Sequence, residues 1–135
     1  IVFRLGEIYL NFAEAAFELN KPDSALWAVN KIRARAGMPE LQSITREQIR
    51  HERKIELAYE GHLYWDMRRW KLADKEYNGY RVHGLKITPH QGAFKFEYVD
   101  CDLQDRKFLA KTYVFPIPYD ELANNSAIEQ YDEWK

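Results

Sequence analysis

Glu52, Glu56 and Glu60 recur at every fourth position in HERKIELAYEGHLYWDMRRW, residues 51–70, among Arg53, Arg68, Arg69 and the histidines His51 and His62. Residues four apart share one face of a helix, so this spacing stacks carboxylates, which are the raw material of general acid–base chemistry such as glycoside hydrolysis. That chemistry needs one carboxyl kept protonated by a raised pKa. Neighbouring arginines favour the ionised form instead, so the pattern argues for paired, structural carboxylates. His51–Glu52 opens like a metalloprotease helix, but the second histidine is missing because position 55 is Ile. His51 and His62 are too far apart along one helix to share an ion. His83 and His90 can meet across a hairpin, yet two histidines without a third ligand make a poor metal site. No serine or cysteine sits in a nucleophile elbow, and no glycine-rich phosphate loop is present. The residues predict no catalytic centre, no metal site and no cofactor.

The elements that must carry this segment can be read from periodicity. Phe3 to Leu19 follows a helical pattern, with Leu5, Ile8, Tyr9, Phe12, Ala16 and Leu19 as its apolar face and Glu7, Asn11, Glu14 and Glu18 opposite. Pro22 suits the first turn of a second helix, which buries Ala25, Ala28, Val29 and Ile32 and stops at Gly37. The basic run Lys31–Arg35 reads as a solvated helix face. Thr45 with Gln48 fits a capping box, and Ile44 with Ile49 a hydrophobic staple. From there one long helix is expected through residues 45–75. On its wheel Ile49, Leu63, Met67 and Trp70 share a broad face with Glu52, Arg53, Glu56 and Glu60, while Ala58, Tyr59 and Trp65 lie on other sides. A helix apolar all round is buried by its neighbours, and its charges must then be paired. Arg53, Arg68 or Arg69 is expected to pair with carboxylates of this helix or of the segments packed on it.

After Tyr77 the period changes. Residues 80–88 and 94–100 read as strands joined by a turn around Pro89 and Gly92, with Gly84 marking a bulge. Pro116 and Pro118 bar residues 112–118 from a central strand, and residues 119–125 suit a short closing helix. The expected architecture is mainly α: a tetratricopeptide-like helix pair (1–37), a long central helix (45–75), then a β-hairpin and an irregular, extended tail (76–135), in a single domain or a fragment of a larger protein.

A net charge of −1, from 20 basic against 21 acidic residues, argues against a nucleic-acid binder, which needs a basic excess. No apolar run reaches the length of a membrane span. Cys101 is the only cysteine, so no internal disulfide forms. The sequon at Asn124–Ser126 carries weight only in a secreted eukaryotic chain. The opening, IVFRLGEIYL, begins without Met and almost at once in a helical pattern, as a piece of a longer protein would.

Four stretches together resemble the C-terminal region of the SusD-like (RagB/SusD) nutrient-binding proteins: RLGEIYLNFAEAAFELN, AVNKIRARAGMPEL, IRHERKIELAYEGHLYWDMRRW and YVFPIPYDELANN. The third is the strongest match, through Glu52, Arg53, Glu56, Glu60, Gly61, Trp65, Asp66, Arg68, Arg69 and Trp70. The last ten residues depart from the family's usual ending. The resemblance implies a binding protein, not an enzyme, held on the outer face of the outer membrane by a lipid anchor that these residues do not include. It implies delivery of oligosaccharides or other nutrients to a TonB-dependent (SusC-like) transporter, with the helix pair facing that transporter. It also implies that the third stretch is scaffold and that the main ligand contacts lie outside these residues. Tyr77, Tyr80 and Trp134 are the rings here least suited to a core, and so the candidate sugar contacts. The alternative is a helical-repeat interaction module with no ligand role, which would require further repeats of the same period.

Overall fold

The computed structural model describes residues 3–79, 81–101 and 105–135. The chain forms two compact units, Ile1–Asp66 and Met67–Lys135. Its elements are α1 (Leu5–Glu18), α2 (Pro22–Arg35), α3 (Arg46–Glu56), α4 (His62–Arg69), α5 (Ala73–Glu76), β1 (His83–His90), β2 (Ala93–Asp100) and α6 (Tyr119–Asn124), with short 3-10 turns at Ala110–Tyr113 and Asp132–Trp134. The mainly α architecture with a helix pair and a hairpin is as the sequence predicts.

In the first unit, α1 and α2 meet through small side chains. Ala13, Ala16, Ala25, Ala28 and Val29 are buried together with Ile44 and Ile49. Small residues let the two backbones approach closely, and Tyr9, Phe17, Leu26 and Leu41 close the rim. α2 starts at Pro22 and buries the four residues its periodicity selects. It ends with Gly37 at φ 69°, where Met38 N–H bonds to Arg33 O and Gly37 N–H to Ala34 O. This pair of bonds is the Schellman closure that a left-handed residue permits. The capping box is complete: Gln48 N–H donates to Thr45 Oγ1, and Thr45 N–H donates to Gln48 Oε1.

The face of α1 is a correction. Its buried residues are Gly6, Glu7, Leu10, Ala13 and Ala16, whereas Leu5, Ile8, Phe12 and Leu19 are exposed. Two stripes of this helix are apolar, and the one made of small residues is the one that allows α2 to pack closely. Glu7, expected at the surface, is buried.

The long helix is a second correction. α3 stops at Glu56, α4 begins only at His62, and α5 follows a further break. Tyr59 at φ 64° and Gly61 at φ 80° take left-handed conformations that a helix cannot contain. α4 closes with Lys71 at φ 55° and a bond from Leu72 N–H to Met67 O. Nor is the segment buried all round, since Tyr59, Leu63, Tyr64 and Trp65 are exposed.

In the second unit, β1 and β2 pair antiparallel from His83↔Asp100 to His90↔Ala93. Gln91 and Gly92, at φ 47° and 80°, make the two-residue loop. Two positive φ values in such a loop give the turn whose twist matches a hairpin. Pro89 therefore lies in the strand, not the turn. The ladder is regular at Gly84, with no bulge; a Cβ there would collide with Cys101 Sγ. Leu85/Tyr98, Ile87/Phe96 and Pro89/Phe94 are cross-strand pairs on one face, and this face is exposed.

Candidate functional site

The stacked glutamates are held by arginines from other elements of the first unit. Glu52, on α3, accepts from Arg33 Nη1 at 2.9 Å. Glu56 accepts from Arg4 Nη1 at 2.5 Å and from Arg35 Nη2 at 2.6 Å to both carboxylate oxygens. Arg4 also donates to Glu56 O. Glu60, in the turn after α3, accepts from Arg4 Nε at 2.7 Å and from Arg4 Nη2 at 2.7 Å. A single guanidinium thus spans Glu56 and Glu60 with its rigid fork of donors. The hydrogen bonds from Arg4 hold the Glu60 carboxyl below its ordinary pKa, and the two glutamates in turn raise the pKa of Arg4.

Arg53 and Asp66 form a deeply buried pair, with Nε to Oδ2 at 2.7 Å and both side chains 5% exposed. Arg53 Nη1 also donates to Asn11 Oδ1 at 2.7 Å, tying α3 and α4 to α1. His62 Nε2 lies 3.8 Å from the buried Glu7 carboxylate. Arg46 grips Glu18 at 2.8 and 2.9 Å, which joins the start of α3 to the end of α1.

These contacts match the expectation of paired charges for Arg53, but the partners of the glutamates were hidden in the sequence. Arg33 and Arg35 belong to the run expected to be a solvated face, and Arg33 is instead largely covered. Arg4 is the residue that sequence reasoning passed over. Its only signal is a lone basic position before an apolar helix, 52 and 56 residues from its partners.

The remaining signature residues divide. Gly61 supplies the left-handed turn. Trp65 is 58% exposed and meets Tyr64 edge to face at 5.1 Å. In the second unit, buried Arg68 donates to Tyr113 O at 2.8 Å and lies 4.3 Å over the Phe115 ring. The Arg69 guanidinium covers Trp70 at 5.0 Å.

Two of the candidate sugar-contact rings have separate described neighbours. Tyr77 follows α5 and meets Phe108 at 6.5 Å, and its burial raises the phenol pKa. Trp134 donates its indole N–H to Val114 O at 2.9 Å, with Lys111 Nζ 4.4 Å over the ring. Tyr80 lies outside the described residues. Among the described residues, no group of three or more His, Cys, Asp or Glu side chains is placed to hold a metal ion.

Chemically, the first unit's network is a set of salt-bridged carboxylates. A carboxylate engaged by one or two guanidinium groups is a poor proton donor and has few lone pairs left for a ligand. The arrangement locks helices together.

The family model described as the SusD family matches residues 1–134. A SusD-like protein of Bacteroides ovatus is 32% identical over 113 residues, 75% of this chain and 20% of its own length. SusD-like protein P2 of Formosa agariphila is 30% identical over 139 residues, 93% of this chain and 24% of its own length. The crystal structure of a SusD-like protein from Bacteroides fragilis superimposes with a TM-score of 0.84 at 36% identity, over 96% of this chain and 25% of that one. The chain therefore spans a quarter or less of the length of these relatives. With a family match over residues 1–134 and a shared fold, the chain belongs to the SusD family.

Proposed function

We propose that these residues are the scaffold part of a cell-surface nutrient-binding protein of the outer membrane, which delivers oligosaccharides or related nutrients to a TonB-dependent transporter. The observation that carries this reading is the family match over residues 1–134. The internal geometry supports a scaffold role within that protein. Its carboxylates are occupied by arginines, and Tyr77 and Trp134 are engaged with neighbouring loops. The main ligand contacts then belong to the rest of the protein, and no reaction is catalysed here.

Two measurements on the full-length protein test this. Calorimetry against a panel of oligosaccharides should find a ligand whose affinity Trp134→Ala leaves within about twofold, less than 0.5 kcal/mol. Affinity purification from outer membranes should bring down a TonB-dependent transporter. A tenfold loss of affinity on Trp134→Ala would move the ligand site into these residues. Absence of the transporter under conditions that preserve other membrane complexes would remove the delivery role.

A further inference from the structure

Asn78 is the only asparagine of the chain that is followed by glycine. Such a pair is chemically labile, because a residue without a Cβ lets its backbone nitrogen come close to the preceding side-chain amide. Asparagine is accordingly among the thermolabile residues. Here the pair is clasped on three sides within the second unit. Asn78 Nδ2 donates to Asp74 O at 2.7 Å, and Asn78 Oδ1 accepts from Phe108 N–H at 2.7 Å. Gly79 N–H donates to Arg106 O at 3.1 Å. The first bond satisfies a carbonyl at the end of α5, and the other two draw residues 106–108 onto the turn. The Phe108 ring adds contacts to Tyr77 and Tyr113, at 6.5 and 4.8 Å, and Arg81 Nε donates to Asp105 at 2.8 Å. Crowding does not protect the pair. Asn78 and Gly79 are exposed, and no atom beyond the chain neighbours stands within 4 Å of where a Gly79 Cβ would lie. The hydrogen bonds protect it, because they fix both ends of the side-chain amide and engage the one backbone nitrogen placed to attack it.

We propose that the Asn78–Gly79 pair is a site of spontaneous deamidation, held latent by its clasp to residues 106–108 and released when that clasp opens. In the step, Gly79 N loses its proton and bonds to Asn78 Cγ. The Cγ–Nδ2 bond breaks, and Nδ2 leaves as ammonia with that proton. One water then opens the five-membered succinimide. Attack at its Cγ carbonyl gives aspartate. Attack at its main-chain carbonyl gives isoaspartate, with the backbone rerouted through Cβ and Cγ. The net change is amide plus water to carboxyl plus ammonia, with nothing oxidised or reduced. Either product has lost the Nδ2 donor, and a carboxylate only accepts hydrogen bonds, so it faces Asp74 O with no proton to give. The isoaspartyl form also displaces the acceptor that Phe108 N–H uses. The original clasp does not re-form, and a transient opening leaves a permanent mark on the chain. The inference is independent of nutrient binding and transporter delivery.

The test holds the full-length protein in mildly alkaline buffer, folded or unfolded in urea. Trypsin cuts after Lys75 and Arg81 and so releases residues 76–81, which deamidation makes heavier by one mass unit. The unfolded chain should convert Asn78 before any other asparagine, with isoaspartate as the main product. It should do so about tenfold or more faster than the folded protein, as expected of a group that reacts only through local opening. In urea too dilute to unfold the protein, conversion should rise in step with hydrogen exchange of the Gly79 and Phe108 amides. Phe108→Ala removes the ring that seats residues 106–108, so it should speed conversion several-fold in the folded protein and leave the rate in strong urea unchanged. Equal rates in the folded and unfolded parent would overturn the latch. Conversion in urea no faster at Asn78 than at Asn124 or Asn125 would overturn the site itself. A folded Phe108→Ala protein that converts no faster than the parent would remove residues 106–108 as its guard.

Discussion

The described parts of the two units are held together by different means. Of the twelve apolar side chains buried among the described residues, ten lie in the first unit, from Leu10 to Leu57, and only Met67 and Ala73 lie in the second. The first unit packs helices through alanines and spans them with long arginines. The second leans on single side-chain bonds to the backbone. Gln130 bonds to both the N–H and the C=O of Ile117 at 3.0 Å, Asn78 Oδ1 accepts from Phe108 N–H at 2.7 Å, and Trp134 reaches Val114. Alanine interfaces bring backbones close but bury little area, so directional charge pairs fix which helices meet. Loops have no such interface, and each polar side chain secures its own short stretch.

The largest test of that contrast is Arg53→Met. It removes Arg53 from the buried Asp66 carboxylate and should cost about 3–5 kcal/mol in a denaturant titration. Adding Asp66→Leu should recover most of the loss. A cost under about 1 kcal/mol would mean that the pair is solvated and the first unit is not charge-locked.

Gly61→Ala comes next. No atom stands within 4 Å of the position its Cβ would take, so the effect isolates backbone strain at φ 80°. The expected destabilisation is about 1–2 kcal/mol, read as a shift in the denaturation midpoint. A neutral or stabilising result would restore a continuous helix through residues 57–61.

In the second unit, Tyr113 Oη donates to Asp74 Oδ1 at 2.5 Å and accepts from Asp74 N–H at 3.1 Å. The bond lowers the Asp74 pKa, while burial and then Asp74 raise that of Tyr113. A carboxyl depressed in the folded state contributes stability that is present above its unfolded value, about 3.9. That contribution is lost as pH falls through the lowered folded value. Tyr113→Phe should therefore return Asp74 toward its ordinary titration, followed by NMR of the carboxyl carbon. The stability gap between variant and parent should narrow on acidification below about pH 4. An unchanged Asp74 titration would show that the hydroxyl does not govern it.

The smallest effect is expected at Phe96→Ser, on the exposed hairpin face. Stability should change by less than about 0.5 kcal/mol. A loss several times larger would give the second unit a packed core of its own and erase the contrast.

Local chemistry was legible from the residues. Pro22, Gly37, the Thr45–Gln48 box and the Ile44–Ile49 staple place helix ends where the structure has them. The period-two run from Phe94 to Tyr98 identifies a strand. Three things were not legible. Apolar size does not predict burial on α1, because close helix approach selects the alanine stripe over the leucine one. The continuous pattern from Thr45 onward hid a break, because the stop depends on left-handed backbone at Tyr59 as well as at Gly61. The partners of Glu56 and Glu60 depend on tertiary contact across more than fifty residues, which no window of local sequence contains. The internal pairing of the signature segment was nevertheless legible, because its mixture of arginines, carboxylates and rings already demanded it.

Arg4 has a further consequence for how the protein is made. Its guanidinium precedes Glu60 by 56 residues. A ribosome adding about 5–20 residues per second leaves roughly 3–11 s between the two. Through that interval α1 and α2 can already meet through their alanines, but the turn before α4 has no anchor. The order of synthesis thus builds the pair of helices before the clamp can close, so that an early stop in translation before Glu60 would leave Arg4 without half of its partners.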